Sequence, residues 1–360
     1  MNRHGQNSGH QRTLPTAPYG TNVTRLLLPC IGLLVIALPV LAQGGEDSRH
    51  PAVSEVRAGT LLLQQGNYQE AKAHFARAEA LQGKPSAETS AGLCLAELQM
   101  GHYQAARQMA AIELQLGTND HARAQAHYMI GTAWLRESGD SPADREKLQA
   151  AEKSFRESVK FDAHYDSAFF NLGYALLRLN RPEDSNAAFR DFIGAAAENP
   201  AYEKDLPVTQ KTRASRFQVV DSDGHPISSE SLRGRFVLFD FWATWCPPCI
   251  RALPAMRQLS RFLPEQQFRL ISINEDEDPQ TWRQFSRAHE MDWRQIWDEK
   301  SNLYHAFGLA AQSKLSLPRY VLVDGDGFVR QVYSGTDQIG LVAGQVVRIV
   351  RSEFRSQRAD

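Results

Sequence analysis

Two cysteines three positions apart, Cys246 and Cys249, are the residues of this 360-residue chain best placed to do chemistry. They lie in the run Trp245-Cys246-Pro247-Pro248-Cys249, between an apolar segment that reads as a strand and a stretch that reads as a helix. A CxxC pair in that position is a redox arrangement, because thiols one helical turn apart can close and open a disulfide. Cys246 falls at the helix amino terminus, where the dipole and the unpaired N–H groups favour a thiolate. Cys249 is close enough to attack a mixed disulfide and release the product. Pro247 and Pro248 suit the first helical positions, and having no N–H they leave only the Cys249 and Ile250 amides to reach the Cys246 sulfur. The thiolate is therefore expected to be held less strongly than in motifs with a donor between the cysteines. The other uses of such a pair are a structural disulfide and half a zinc site. Zinc takes four ligands, and neither a second CxxC or CxxH pair nor any spacing among the eleven histidines supplies the rest.

The elements that position this pair can be read from residue 215 onward. Residues 217–221 and Ile227 flank Asp223-Gly224, a hairpin turn signal. Residues 236–242 (FVLFDFW), 268–274 (FRLISIN) and 320–323 (YVLV) are nearly continuous apolar runs, as expected of strands buried on both faces. An Asp-Gly-Asp-Gly turn at 324–327 leads into a strand over 328–333. Helices are predicted over 249–263, 279–289 and 336–353. Strands feeding helices imply a mixed sheet covered on both faces.

Together these motifs resemble the thioredoxin fold, and specifically the exported TlpA/ResA-like thiol–disulfide oxidoreductases, over residues 215–360. Residues 240–249 (DFWATWCPPC) match the active-site strand and turn, and Pro254 matches the proline of the active-site helix. Leu317-Pro318 resembles the family's cis-proline. The segment from Phe217 to Gly234 resembles the extra hairpin of the TlpA/ResA branch. The resemblance implies roles residue by residue. Cys246 would be the nucleophile and Cys249 the resolving thiol, and the two would form the redox disulfide. Asp240, six before Cys246, would be the buried acid/base that takes the Cys249 proton. Pro318 would dock substrate, with the Leu317 backbone pairing to it, and Trp245 and Arg319 would complete the substrate surface. Arg319 departs from the small hydroxyl residue usual there, no lysine lies near 268–274 to pair with Asp240, and Pro247 stands where some members have glutamate. No cofactor or metal is implied. The implied partners are protein thiols and disulfides, with electrons from a membrane thiol donor. A thiol peroxidase is the nearest alternative chemistry, but Ala243 occupies the position where peroxiredoxins keep threonine.

Upstream, residues 52–200 repeat. Gly66, Tyr68, Ala71, Phe75 and Ala78 recur in spacing as Gly101, Tyr103, Ala106, Ala110 and Glu113. Small residues at 59, 94, 131 and 173 are 35, 37 and 42 positions apart, the last spacing enlarged by an insertion over 137–147. Small residues at helix crossings with aromatics plugging the next groove are what stacked helix pairs need. The pattern resembles tetratricopeptide repeats, which implies a solenoid arm that binds an unidentified protein or peptide. Cys94 reads as one of its buried small positions. Such an arm would also serve as an adaptor if the redox domain were vestigial. Residues 201–214 read as a linker.

Residues 1–45 read as a signal peptide or membrane anchor. Arginines at 3, 12 and 25 precede an apolar run over 26–42, about 25 Å long as a helix. The basic flank places the amino terminus in the cytoplasm and the body of the protein outside it, in the periplasm, either free after cleavage or tethered by residues 26–42. Forty basic against forty-one acidic side chains leave a net charge of −1, which excludes a nucleic-acid binder. The predicted architecture is an all-α repeat solenoid followed by an α/β thioredoxin fold with an N-terminal β-hairpin.

Overall fold

The computed structural model describes residues 50–117, 119–138, 144–202, 212–309, 316–335 and 338–356. The predicted signal or anchor segment lies outside them. Among the described residues no helix is long and apolar enough to cross a membrane.

Eight helices come first: α1 (Pro51–Gln64), α2 (Tyr68–Gln82), α3 (Ala87–Gln99), α4 (Tyr103–Leu116), α5 (Asp120–Glu137), α6 (Arg145–Phe161), α7 (Asp166–Arg178) and α8 (Pro182–Glu198). They pack as successive antiparallel pairs, consistent with the repeat read in the sequence. The physical basis of the repeat is a glycine facing an aromatic ring. A Cβ added at Gly59 would stand 3.0 Å from the Phe75 ring, at Gly131 2.7 Å from Phe155, and at Gly173 2.7 Å from Phe189. The second pair reaches the same fit with the sizes exchanged: the larger Cys94, fully buried, packs where Ala110 replaces the aromatic. Gly173→Ala should therefore overpack the last pair and destabilise the chain by about 1–3 kcal/mol. Chemical denaturation checks this, and Phe189→Leu in the same chain should recover part of the loss.

The remainder is a six-stranded sheet with a separate hairpin. The hairpin pairs β2 (Gln218–Val220) with β3 (Pro226–Ser228). In the sheet, β1 (Thr212–Arg213), β8 (Phe328–Ser334), β7 (Arg319–Val323), β4 (Phe236–Trp242), β5 (Phe268–Asn274) and β6 (Arg294–Trp297) lie side by side in that order. The β4, β5 and β6 strands are parallel, and the other neighbours are antiparallel. All seven residues of β4 are buried, which is why its run is apolar but for Asp240. Two strands were not expected. The two-residue β1 falls within the segment read as linker, and β6 (RQIW) is too short and too polar to show a period.

The helices α9 (Pro247–Phe262), α10 (Pro279–Ala288) and α12 (Ile339–Ser356) cover one side of the sheet. On the other side lie the hairpin and α11 (Asn302–Ala306). The helical arm is joined to this domain by a shared core. Phe170, Phe189, Phe192, Ile193 and Ala196 of the arm pack with Met256 and Leu259 of α9 and with Val342, Val346 and Val350 of α12. The last carbonyls of α8 have no partners within their own helix; the Arg348 guanidinium donates to those of Ala197 and, just beyond the helix, Asn199. Gln258 of α9 donates to Asn186 of α8 at 3.1 Å, and the Tyr174 hydroxyl of α7 donates to the Arg251 carbonyl of α9.

Candidate active site

The parallel strand β4 ends at Trp242, and four residues later the chain turns into α9. Cys246 is the N-cap of that helix, with Pro247 and Pro248 as its first residues. Cys246 and Cys249 are disulfide-bonded, their Cα atoms 5.3 Å apart. The Cys249 amide donates to the Cys246 sulfur at 3.2 Å, and the Ile250 amide donates to the Cys246 carbonyl instead. One amide therefore reaches the sulfur from within this turn. Pro254 sits inside α9 and removes the donor that the Ile250 carbonyl would have had in a regular helix.

Both cysteines are buried, and they pack with Trp242, Ala243, Leu253, Trp282 and Met291, with Leu317 against the same cluster. Trp245, next in the chain to Cys246, is 57% exposed, whereas both cysteines are 3% exposed. The Leu317–Pro318 peptide is cis. Pro318 is buried, and its carbonyl accepts from Gly335 at 3.1 Å. Arg319 opens β7 opposite Phe241. In that strand Tyr320 and Leu322 face the α9 side, whereas Val321 and Val323 face the hairpin side. Strand alternation puts Arg319 with the latter pair, on the face away from Cys249.

Asp240 lies on β4 between Leu238, which packs with Met256 of α9, and Trp242, which packs with Cys249. Its side chain therefore faces α9. It is 3% exposed, and burial pushes its carboxyl up to about 7, against the opposing effect of a hydrogen bond from Ser272. The Ser272 hydroxyl donates to Asp240 Oδ2 at 2.9 Å from the directly opposite position on β5. No lysine takes that place.

Sequence reasoning missed Asp276. Its carboxylate accepts from the Thr244 amide at 3.0 Å, the Thr244 hydroxyl at 2.9 Å and Asn274 Nδ2 at 2.8 Å. It thus pins the loop two residues before Cys246. A carboxylate just past the carboxyl end of a parallel strand beside the CxxC strand was the available signal.

Residues 211–332 match the AhpC/TSA family. The chain is 29% identical over 123 residues to the thiol-disulfide oxidoreductase ResA of Halalkalibacterium halodurans, spanning 34% of this chain and 67% of that one. It is 23% identical over 144 residues to ResA of Bacillus subtilis, spanning 40% and 78%. Among solved structures it is similar to a putative thiol:disulfide interchange protein DsbE from Chlorobium tepidum, at 20% identity and a TM-score of 0.36, covering 40% of this chain and 99% of that one.

Proposed function

We propose that this chain, whose C-terminal part is an AhpC/TSA-type domain of thioredoxin fold with ResA-like relatives, is an exported thiol–disulfide oxidoreductase that reduces protein disulfides. The observation that carries the reading is a Cys246–Cys249 disulfide at the amino terminus of a helix, flanked in the chain by exposed Trp245 and packed with Leu317, which precedes cis Pro318. A helix N-cap sulfur receives an amide hydrogen bond and the positive end of the dipole, which makes Cys246 the better leaving group and the better thiolate of the two.

In the reduced chain the Cys246 thiolate attacks a substrate disulfide. One substrate sulfur leaves with the electron pair and the other is held in a mixed disulfide. Asp240, as carboxylate, takes the proton of Cys249. The Cys249 thiolate then attacks the Cys246 sulfur, closes the intramolecular disulfide and expels the second substrate sulfur, which is protonated. The substrate gains two electrons and two protons, and the chain loses them. Trp245, Leu317 and Pro318 form the surface on which the substrate strand lies, whereas the Arg319 side chain is turned to the other face of the sheet. A membrane thiol donor returns the electrons, the helical arm holds a partner protein, and residues 26–42 direct export to the periplasm or remain as a tether. A peroxidase reading is disfavoured by Ala243, a residue that offers no hydroxyl to a peroxide.

Equilibrating the full chain with thiol buffers tests the direction of flow. A potential at or below about −250 mV is expected for a reductant, and one above about −150 mV would overturn that role in favour of a disulfide donor.

A further inference from the structure

We infer that Ser272 and Trp293 form a hydrogen-bond relay that holds Asp240 ready to take the Cys249 proton, and so act as positioning residues for the resolving step. The inference rests on Asp240 being the base of that step. Trp293, just before β6, packs against both the cysteine cluster and the α9–α12 core. Its indole N–H donates to Ser272 Oγ at 2.8 Å, and Ser272, fully buried, bonds Asp240 Oδ2 at 2.9 Å.

The direction of the relay follows from the donor inventory. An indole N–H can only donate, so Ser272 Oγ is the acceptor of that bond. The one hydroxyl hydrogen of Ser272 is then committed to Asp240. A donor fixed on a carboxylate favours its anion, against the burial that favours the neutral acid. Without the relay, Asp240 would hold its proton to higher pH, and less of it would be free to receive one from Cys249 near neutrality. The surrounding elements bring other titratable groups: Tyr320 opposite Asp240 on β7, Tyr333 on β8, and Cys249, Arg251 and Arg257 on α9. In the disulfide form burial raises the Asp240 carboxyl and the Ser272 hydrogen bond opposes it. A serine opposite the acid thus does what a lysine would do by charge. The sequence hides it, because a lone serine within β5 carries no signal that it faces Asp240.

The test uses the reduced full chain and Ellman's reagent. The first thionitrobenzoate released reports attack by Cys246, and the second reports resolution by Cys249. The rate of the second is followed from about pH 4 to pH 9. Ser272→Ala should move the acid limb of this profile upward by about one pH unit, the size expected for losing one hydrogen bond to a charged group. Trp293→Phe should move it the same way by less, and Ser272→Thr, which keeps the hydroxyl, should leave it in place. Asp240→Asn should slow the step and remove the limb set by the carboxyl, leaving only the one set at higher pH by ionisation of Cys249 itself. If Asp240→Asn has this effect while Ser272→Ala and Trp293→Phe match the parent, the relay is overturned and the base stands. If Asp240→Asn leaves the limb unchanged, the base reading itself fails, and the relay with it.

Discussion

Gly344→Leu, far from the cysteines, should weaken the whole molecule by about 2–4 kcal/mol and separate the unfolding of arm and redox domain. In the parent chain a Cβ at this position would lie 2.4 Å from the Ala196 carbonyl oxygen and 2.8 Å from the Tyr202 ring. The first contact is with backbone of α8, which cannot step aside as a side chain can. Three fully buried arm residues, Phe189, Ile193 and Ala196, share one core with α9 and α12, so pushing α12 outward opens apolar surface on both parts. With an intact interface, arm and domain should lose structure in one transition. Far-ultraviolet dichroism reports mainly the arm, and emission reports mainly the tryptophans of the domain. Coincident curves in the parent and divergent curves in Gly344→Leu are expected; two separate transitions in the parent would show that the arm and the domain are independent.

Asp240→Asn should stabilise the oxidised chain at pH 8 and leave it almost unchanged at pH 4. The folded protein holds this carboxyl near 7, whereas the unfolded chain ionises it near its ordinary value of 3.8. Between those values the folded state keeps a proton that the unfolded state has lost, so stability falls as pH rises through that window and is flat above it. Asparagine removes the burden of a buried charge and still accepts from Ser272. The full shift corresponds to about 4 kcal/mol, and a gain of roughly 2–4 kcal/mol is expected above pH 7, fading toward pH 4. Urea titrations at several pH values measure it. The same variant should resolve mixed disulfides slowly, so stability and turnover move in opposite directions.

The cysteine pair, the strand before it and the helix after it were legible because each carries a local signal. Six apolar residues around a single aspartate are what a strand buried on both faces needs, and two prolines after Cys246 suit the first positions of a helix. The repeat was legible for the same reason: a glycine must face each plugging aromatic, as Gly131 faces Phe155 and Gly173 faces Phe189. What the sequence hid is tertiary. Asp276 reaches back to Thr244 across strands, and Ser272 and Trp293 converge on Asp240 from two elements. The union of arm and domain was hidden too, although α8 carried a hint. With Ala188, Phe189, Phe192, Ile193 and Ala195 to Ala197 all buried, it is apolar on more than one side, as a helix packed against two neighbours must be. Arg319 shows the opposite limit. The resemblance implied a place on the substrate surface, but strand alternation turns its side chain to the face away from Cys249.

In the proposed reaction Cys246 attacks and Cys249 resolves, and the decisive variant is Cys249→Ala in the reduced full chain, mixed with a disulfide-bonded protein. Digestion and mass spectrometry should find a stable mixed disulfide at Cys246, absent when Cys246 is also changed to serine. Adducts at Cys94, or none at all, would contradict the account and leave the helical arm as the working part of the chain.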